Sequence, residues 1–250
     1  MIPRFLSLLL ALYGSLLSAV ELGTPQDKPS PLLTPFTATY RAKVSTGLPF
    51  RQTASRQLKQ LEDKSWLYSF QVKTLGASLY ETSHFTLLTT PEGARIVPMD
   101  YGYHLKGWAV TERTARLSFN HQTGTVLNNV QNQPWQMKVP EQVQDKLSLI
   151  LQVRLALMEG KTHLQFPVAD GGLLKTYSFE VIREEFIHTG RERLETLVIR
   201  KSKQPDDRRP ATLWLDKNRQ LMLVKLVQEE ESGDRYEIFL DQALFDPELE

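Results

Sequence analysis

Pro140-Glu141-Gln142-Val143-Gln144-Asp145-Lys146-Leu147-Ser148-Leu149-Ile150-Leu151-Gln152-Val153-Arg154-Leu155-Ala156-Leu157-Met158-Glu159-Gly160 is the stretch whose reading decides the fold. Proline near the start, acids in the first turn and glycine at the end are helix punctuation. The pattern predicts one helix over residues 141–159. On a helical wheel Asp145, Ser148, Gln152 and Glu159 form one narrow polar stripe. Leucine, isoleucine, valine and methionine cover most of the rest, the mark of an enclosed helix. Arg154 breaks that apolar surface, facing the same way as Leu147, Ile150, Leu151 and Met158.

Working outward, the chain changes period. Phe36, Ala38, Tyr40, Ala42 and Val44 alternate with polar residues, as a half-buried strand does. Residues 51–61 alternate more weakly, with a polar outer face. Trp66, Tyr68, Phe70 and Val72 alternate again, and residues 80–89, 94–103, 109–119 and 125–130 continue the series. After the helix, strands are expected at 164–168, 175–186, 194–201, 211–215, 220–228 and 235–240. Thr46-Gly47, Pro91-Glu92-Gly93, His121-Gln122-Thr123-Gly124 and Asp216-Lys217-Asn218-Arg219 supply turns. Ser202–Pro210 reads as a charged loop and Glu229–Asp234 as an acidic turn. Closely spaced strands favour an antiparallel meander. The expected fold is mainly β: a curved antiparallel sheet, an incomplete β-barrel, wrapped around one central α-helix.

The ends speak about location. Met1-Ile2-Pro3-Arg4 is a basic start, Phe5 to Leu17 is mostly apolar, and Ser18-Ala19 offers small residues for cleavage. This predicts a signal peptide over 1–19, removed after Ala19. The run is too short for a good membrane span. Val20 stands where a lipidated cysteine would have to be, so an exported, periplasmic and unlipidated protein is expected. Residues 20–34, with four prolines at Pro25, Pro29, Pro31 and Pro35 in or beside them, read as a flexible leader. A single domain is expected over 35–243, then a tail over 244–250. Loss of Arg4 brings Lys+Arg from 30 to 29, equal to Asp+Glu at 29. That balance predicts no affinity for nucleic acid. Without cysteine the fold must rest on packing alone.

Three passages resemble one family. Asp145-Lys146-Leu147-Ser148-Leu149-Ile150-Leu151-Gln152-Val153-Arg154 is similar to the mid-domain signature of the DUF3108 family. Ala211-Thr212-Leu213-Trp214-Leu215-Asp216, followed by Gln220-Leu221-Met222-Leu223-Val224-Lys225-Leu226, resembles its closing hairpin, and Arg116-Leu117-Ser118-Phe119 its middle strand. The family often continues with Asp and an aromatic, where this chain has Asn120 and His121. The resemblance covers roughly 33–243. It implies export in Gram-negative bacteria, no assigned activity, and a lipoprotein-carrier type of half-barrel curling around helix.

Few residues suggest chemistry. Arg154 needs a partner if buried, because a guanidinium does not shed its charge. A sheet carboxylate, a route along its stem to solvent, or the anionic head group of a bound amphiphile would each serve. Trp66, Tyr68, Phe70, Phe85, Tyr101, Tyr103 and Trp108 would either fill the core or line a cavity for an acyl chain. Gly102 marks a kink or a close backbone approach. The five histidines make no metal-ligand spacing, and no nucleophile elbow or phosphate loop exists. No catalytic residue, metal or cofactor is expected. Two readings follow: a non-enzymatic periplasmic binding or carrier protein for a lipid, acyl chain or lipoprotein, with Arg154, Trp66, Tyr68, Phe70, Tyr101, Tyr103 and Trp108 at its site, or an envelope interaction module with a solid core and a protein partner.

Overall fold

In the computed structural model, residues 32–44, 52–189, 192–202, 210–229 and 235–245 are described. The signal segment, most of the leader, the Thr46-Gly47 turn, the interior of the charged loop, the acidic turn after Glu229 and the end of the tail lie outside them. In chain order the elements are β1 (Phe36–Val44), β2 (Gln52–Gln60), β3 (Trp66–Lys73), β4 (Ser78–Thr90), β5 (Gly93–Lys106), β6 (Arg113–Asn120), β7 (Thr125–Val130), β8 (Gln133–Lys138) and β9 (Gln144–Asp145). Then come α1 (Ser148–Met158), β10 (His163–Asp170), β11 (Leu173–His188), β12 (Arg193–Lys201), β13 (Ala211–Asp216), β14 (Met222–Glu229) and β15 (Arg235–Phe245).

All of these strands join one open sheet in the order β8-β7-β6-β5-β4-β3-β2-β1-β15-β14-β13-β12-β11-β10-β9. Neighbours are antiparallel except β9, which runs parallel to β10 through Gln144 and Asp145. The expected mainly β, curved and barrel-like architecture is present. Pairing of β1 with β15 joins the two halves of the chain. Opposed residues share a face, so rows of side chains cross the sheet. One inner row runs Phe36, Leu58, Tyr68, Ser83, Tyr101, Leu117, and all six are buried. The next runs Ala38, Arg56, Phe70, Glu81, Tyr103, and there Arg56, Phe70 and Tyr103 are only half-buried.

The helix is shorter than expected. It spans Ser148–Met158, not 141–159. Residues before it are committed elsewhere: Gln144 and Asp145 pair with β10, and Asp145 caps the helix. Its Oδ1 accepts the N–H groups of Leu147 and Ser148, each at 2.7 Å. Ser148 Oγ accepts the Asp145 N–H in return, at 2.9 Å. This is a reciprocal capping box with serine in the usual Glu position.

The polar stripe faces the edge of β5: Asp145, Ser148 and Gln152 are buried, and Glu159 at its far end stays exposed. The first half of β5 has β4 on one side only, because β6 pairs from Asp100 onward. Its other edge would leave backbone groups unpaired. Gln152 Oε1 accepts the Ile96 N–H at 2.7 Å, and Gln152 Nε2 donates to the Ala94 carbonyl at 3.3 Å. Glu159 Oε1 accepts the Ala94 N–H at 2.7 Å, and Gln144 Nε2 donates to the Ile96 carbonyl at 2.9 Å. The helix thus serves β5 as a neighbouring strand would. Gly93, at φ +126°, gives the Glu159 carboxylate room, since a Cβ there would overlap it.

A bulge between His84 and Phe85 shifts the β4–β5 register and leaves Met99 without an opposite. The kink expected at Gly102 therefore falls three residues earlier. Gly102 is a close approach instead, with Thr82 Oγ1 3.0 Å from where its Cβ would be.

Candidate functional site

The inner face of β1–β5 carries two arginines in one neighbourhood. Arg154 comes from α1 and is 5% exposed. Its Nε donates to the Gln220 carbonyl at 2.9 Å, and its guanidinium carbon lies 5.6 Å from the Phe36 ring centre. The carbonyl is presented by a tight turn between β13 and β14 in which Gln220 and Leu221 have φ of 49° and 55°. Arg154 does not reach solvent along its stem. Among the described residues no carboxylate pairs with it. Burial pushes its pKa down, and the charge of Arg56 adds to that, against opposing influences of Tyr68 and Tyr40.

Arg56 sits one row further toward the half-buried part of the inner face. Its Nη1 donates to the Tyr68 hydroxyl at 3.1 Å. Its guanidinium carbon lies 5.1 Å from the Phe70 ring centre and 5.8 Å from that of Tyr40. Burial disfavours its charge, but Tyr68, Tyr40 and Glu81 outweigh burial and raise its pKa. Glu81 is across Phe70 in the register and accepts the Tyr101 hydroxyl at 2.8 Å. Burial, then Glu81, raises the Tyr101 pKa, and burial raises that of Tyr40. Phe36 and Tyr68 meet edge to face with centres 6.1 Å apart, so a chain of rings links the two guanidiniums.

Of the residues expected at a site, Arg154, Tyr68, Phe70, Tyr101 and Tyr103 come together here. Trp66 lies on the same strand as Tyr68 but opposite Phe85, deep in the core. Trp108 stands apart at 83% exposed, on the turn after β5. Arg56, Glu81, Tyr40 and Phe36 belong to the group without having been singled out. The signal for Arg56 was present: Ala54, Arg56 and Leu58 alternate, which puts a cation on the apolar face.

Two cavities flank the C-terminal half of α1. One of about 650 Å³ has Leu157, Met158, Val181, Ile182, Leu197 and Leu221 in its wall. Its rim cations Arg183 and Lys217 already pair with Glu185 and Glu184. The other, of about 550 Å³, is polar and includes Arg95, Glu141, Gln144, Lys161 and His163. Neither touches the aromatic group. Among the described residues no cluster of His, Asp or Glu could hold a metal ion.

A solved beta-barrel-like protein of the domain of unknown function DUF1849, from Brucella abortus, has a similar fold. It is 10% identical, covers 86% of this chain and 99% of its own, and superposes with a TM-score of 0.57. A putative outer membrane lipoprotein-sorting protein domain from Vibrio parahaemolyticus is 9% identical over 88% of both chains, with a TM-score of 0.21, too loose to define a shared fold. No curated protein matches the sequence. The family model of a protein of unknown function, DUF3108, matches residues 36–241, and the chain belongs to that family.

Proposed function

We propose a non-enzymatic binding or carrier protein of the cell envelope, periplasmic after export, that holds a lipid, an acyl chain or the acyl part of a lipoprotein. The observation that carries this reading is the 650 Å³ cleft with its largely aliphatic wall beside α1. Ligand sites are typically of this size and apolar in lining. Its wall joins the end of α1 to inner-face residues of β11 and β12, so a chain entering there meets the core directly. In this reading the helix is the central plug, held to β5 by side-chain hydrogen bonds that can exchange for water. Location in the envelope is inferred from the N-terminal segment. No helix among the described residues is long and apolar enough to cross a membrane.

Native mass spectrometry of the mature protein, isolated from its own envelope without detergent, tests this. A bound mass matching a lipid or fatty acid is expected. A clean unliganded mass that stays clean after incubation with fatty acid would overturn the proposal.

One observation favours the second reading, an interaction module with a protein partner. Strand β8 is an exposed edge, with Met137 its only half-buried residue. Edge strands accept added strands. A reproducible stoichiometric protein partner with no bound lipid would support that reading.

A further inference from the structure

We infer that Arg154 and Arg56 together form a recognition site for the anionic group, carboxylate or phosphate, of an amphiphile whose chain lies on the inner face. This goes beyond the carrier reading, whose cleft at the end of α1 lacks both arginines, and rests on that reading only for the protein's holding a chain. Arg154 is nearly fully buried, and one backbone carbonyl is its hydrogen-bond partner. Arg56 has one phenol. Among the described residues neither forms an ion pair, and the acid that acts on Arg56, Glu81, already receives the Tyr101 hydroxyl. Two like charges share Tyr40 and Tyr68 as surroundings. A core built for stability alone does better with hydrophobic residues here than with unpaired cations. Guanidinium groups present a planar fork of donors that matches carboxylate and phosphate oxygens.

Access follows from the row pattern. The row through Tyr68 is sealed, and the row through Arg56 is half-open at Phe70 and Tyr103. Val72 on this arm, and Val181, Leu213, Leu226 and Ile238 on the other, are half-buried apolar residues packed against the core. An anion arriving from this side meets Arg56 first, with Arg154 beneath it and apolar surface on both arms for the chain. Tyr68 is placed to donate to the same oxygens once Arg56 turns to the ligand.

The test uses the mature full-length protein and three probes: dodecyl phosphate, dodecanol and inorganic phosphate. The expected result is that dodecyl phosphate binds at least tenfold more tightly than dodecanol, and that inorganic phosphate binds only weakly. Arg56→Met and Arg154→Met should each remove most of that preference while leaving dodecanol binding in place. Arg154→Met should also raise the melting temperature of the ligand-free protein, because an unpaired buried charge is gone. Arg56→Lys, at the half-open position, should keep a reduced preference. Equal binding of the two dodecyl probes would overturn the anion site and leave the carrier reading standing. Tight binding of inorganic phosphate with no gain from the chain would keep the anion site and overturn the carrier reading. Binding of none of the three would end both. A lower melting temperature in Arg154→Met, with unchanged probe preference, would make Arg154 structural.

Discussion

At the scale of single residues, Asp145 sets a pH dependence of its own. Burial pushes its carboxyl up to about 6 from 3.8, although Ser83, Ser148 and Leu147 donate to it and work the other way. The folded state therefore holds this proton more tightly than the unfolded chain. Its contribution to stability is fully present below pH 3.8 and is lost as pH rises through about 6. The size is about 3 kcal/mol at most. Asp145→Asn keeps an oxygen for the two helix N–H groups and offers its amide to Ser83. Urea unfolding of both proteins from pH 4 to 7 should show the wild type losing stability relative to the variant between pH 4 and 6. Parallel pH profiles would mean that Asp145 titrates alike in both states. Aspartate at the cap was visible in the sequence as one member of a polar stripe. Its burial was not, because that depends on Ser83, 62 residues earlier in the chain.

At the scale of elements, the stripe of α1 explains why the helix is enclosed despite its polar side. A wheel shows which residues share a face but not what that face meets. Here it meets the bare edge of β5, so Gln152 and Glu159 act as strand substitutes. Gln152→Leu keeps the volume and strands the Ile96 N–H and the Ala94 carbonyl. Losing such partners costs roughly 1–3 kcal/mol each. Hydrogen exchange should quicken at the Ile96 amide and stay slow at Val97, whose amide faces β4 by strand alternation. Uniform quickening along β5 would mean that the strand opens as a whole and the clasp is not local. The same elements show what sequence reading missed. Strand β8 follows a turn in which Gln131 and Asn132 have φ of 52° and 62°. Such turns usually carry Asn-Gly, so Gln-Asn gave little warning. Strand β9 is two residues long and exists only because β10 arrives beside it. Strands with strong alternation, such as β1 and β3, were legible because one buried face imposes a period of two.

At the scale of the whole molecule, an open sheet must do something with its ends. Strand β8 is one end, and the β10–β11 hairpin lies next to the other. The tip of that hairpin is Gly171-Gly172, and the Trp135 indole of β8 lies against Gly172 so closely that a Cβ there would overlap it. Gly172 also has φ +79°. This contact brings the two ends together with a tryptophan on glycine rather than with a backbone ladder. Two penalties then apply to Gly172→Ala. The left-handed backbone alone costs about 1–2 kcal/mol for a residue with Cβ, and displacing the indole adds to it. In a Trp135→Ala background only the backbone part remains. A double-mutant cycle by chemical denaturation separates the two. The expected coupling is about 1 kcal/mol or more, with Gly172→Ala costing less once Trp135 is gone. Strict additivity would show that the indole gives way freely, and that the sheet keeps its curvature through the β1–β15 pairing and the α1 clasp alone.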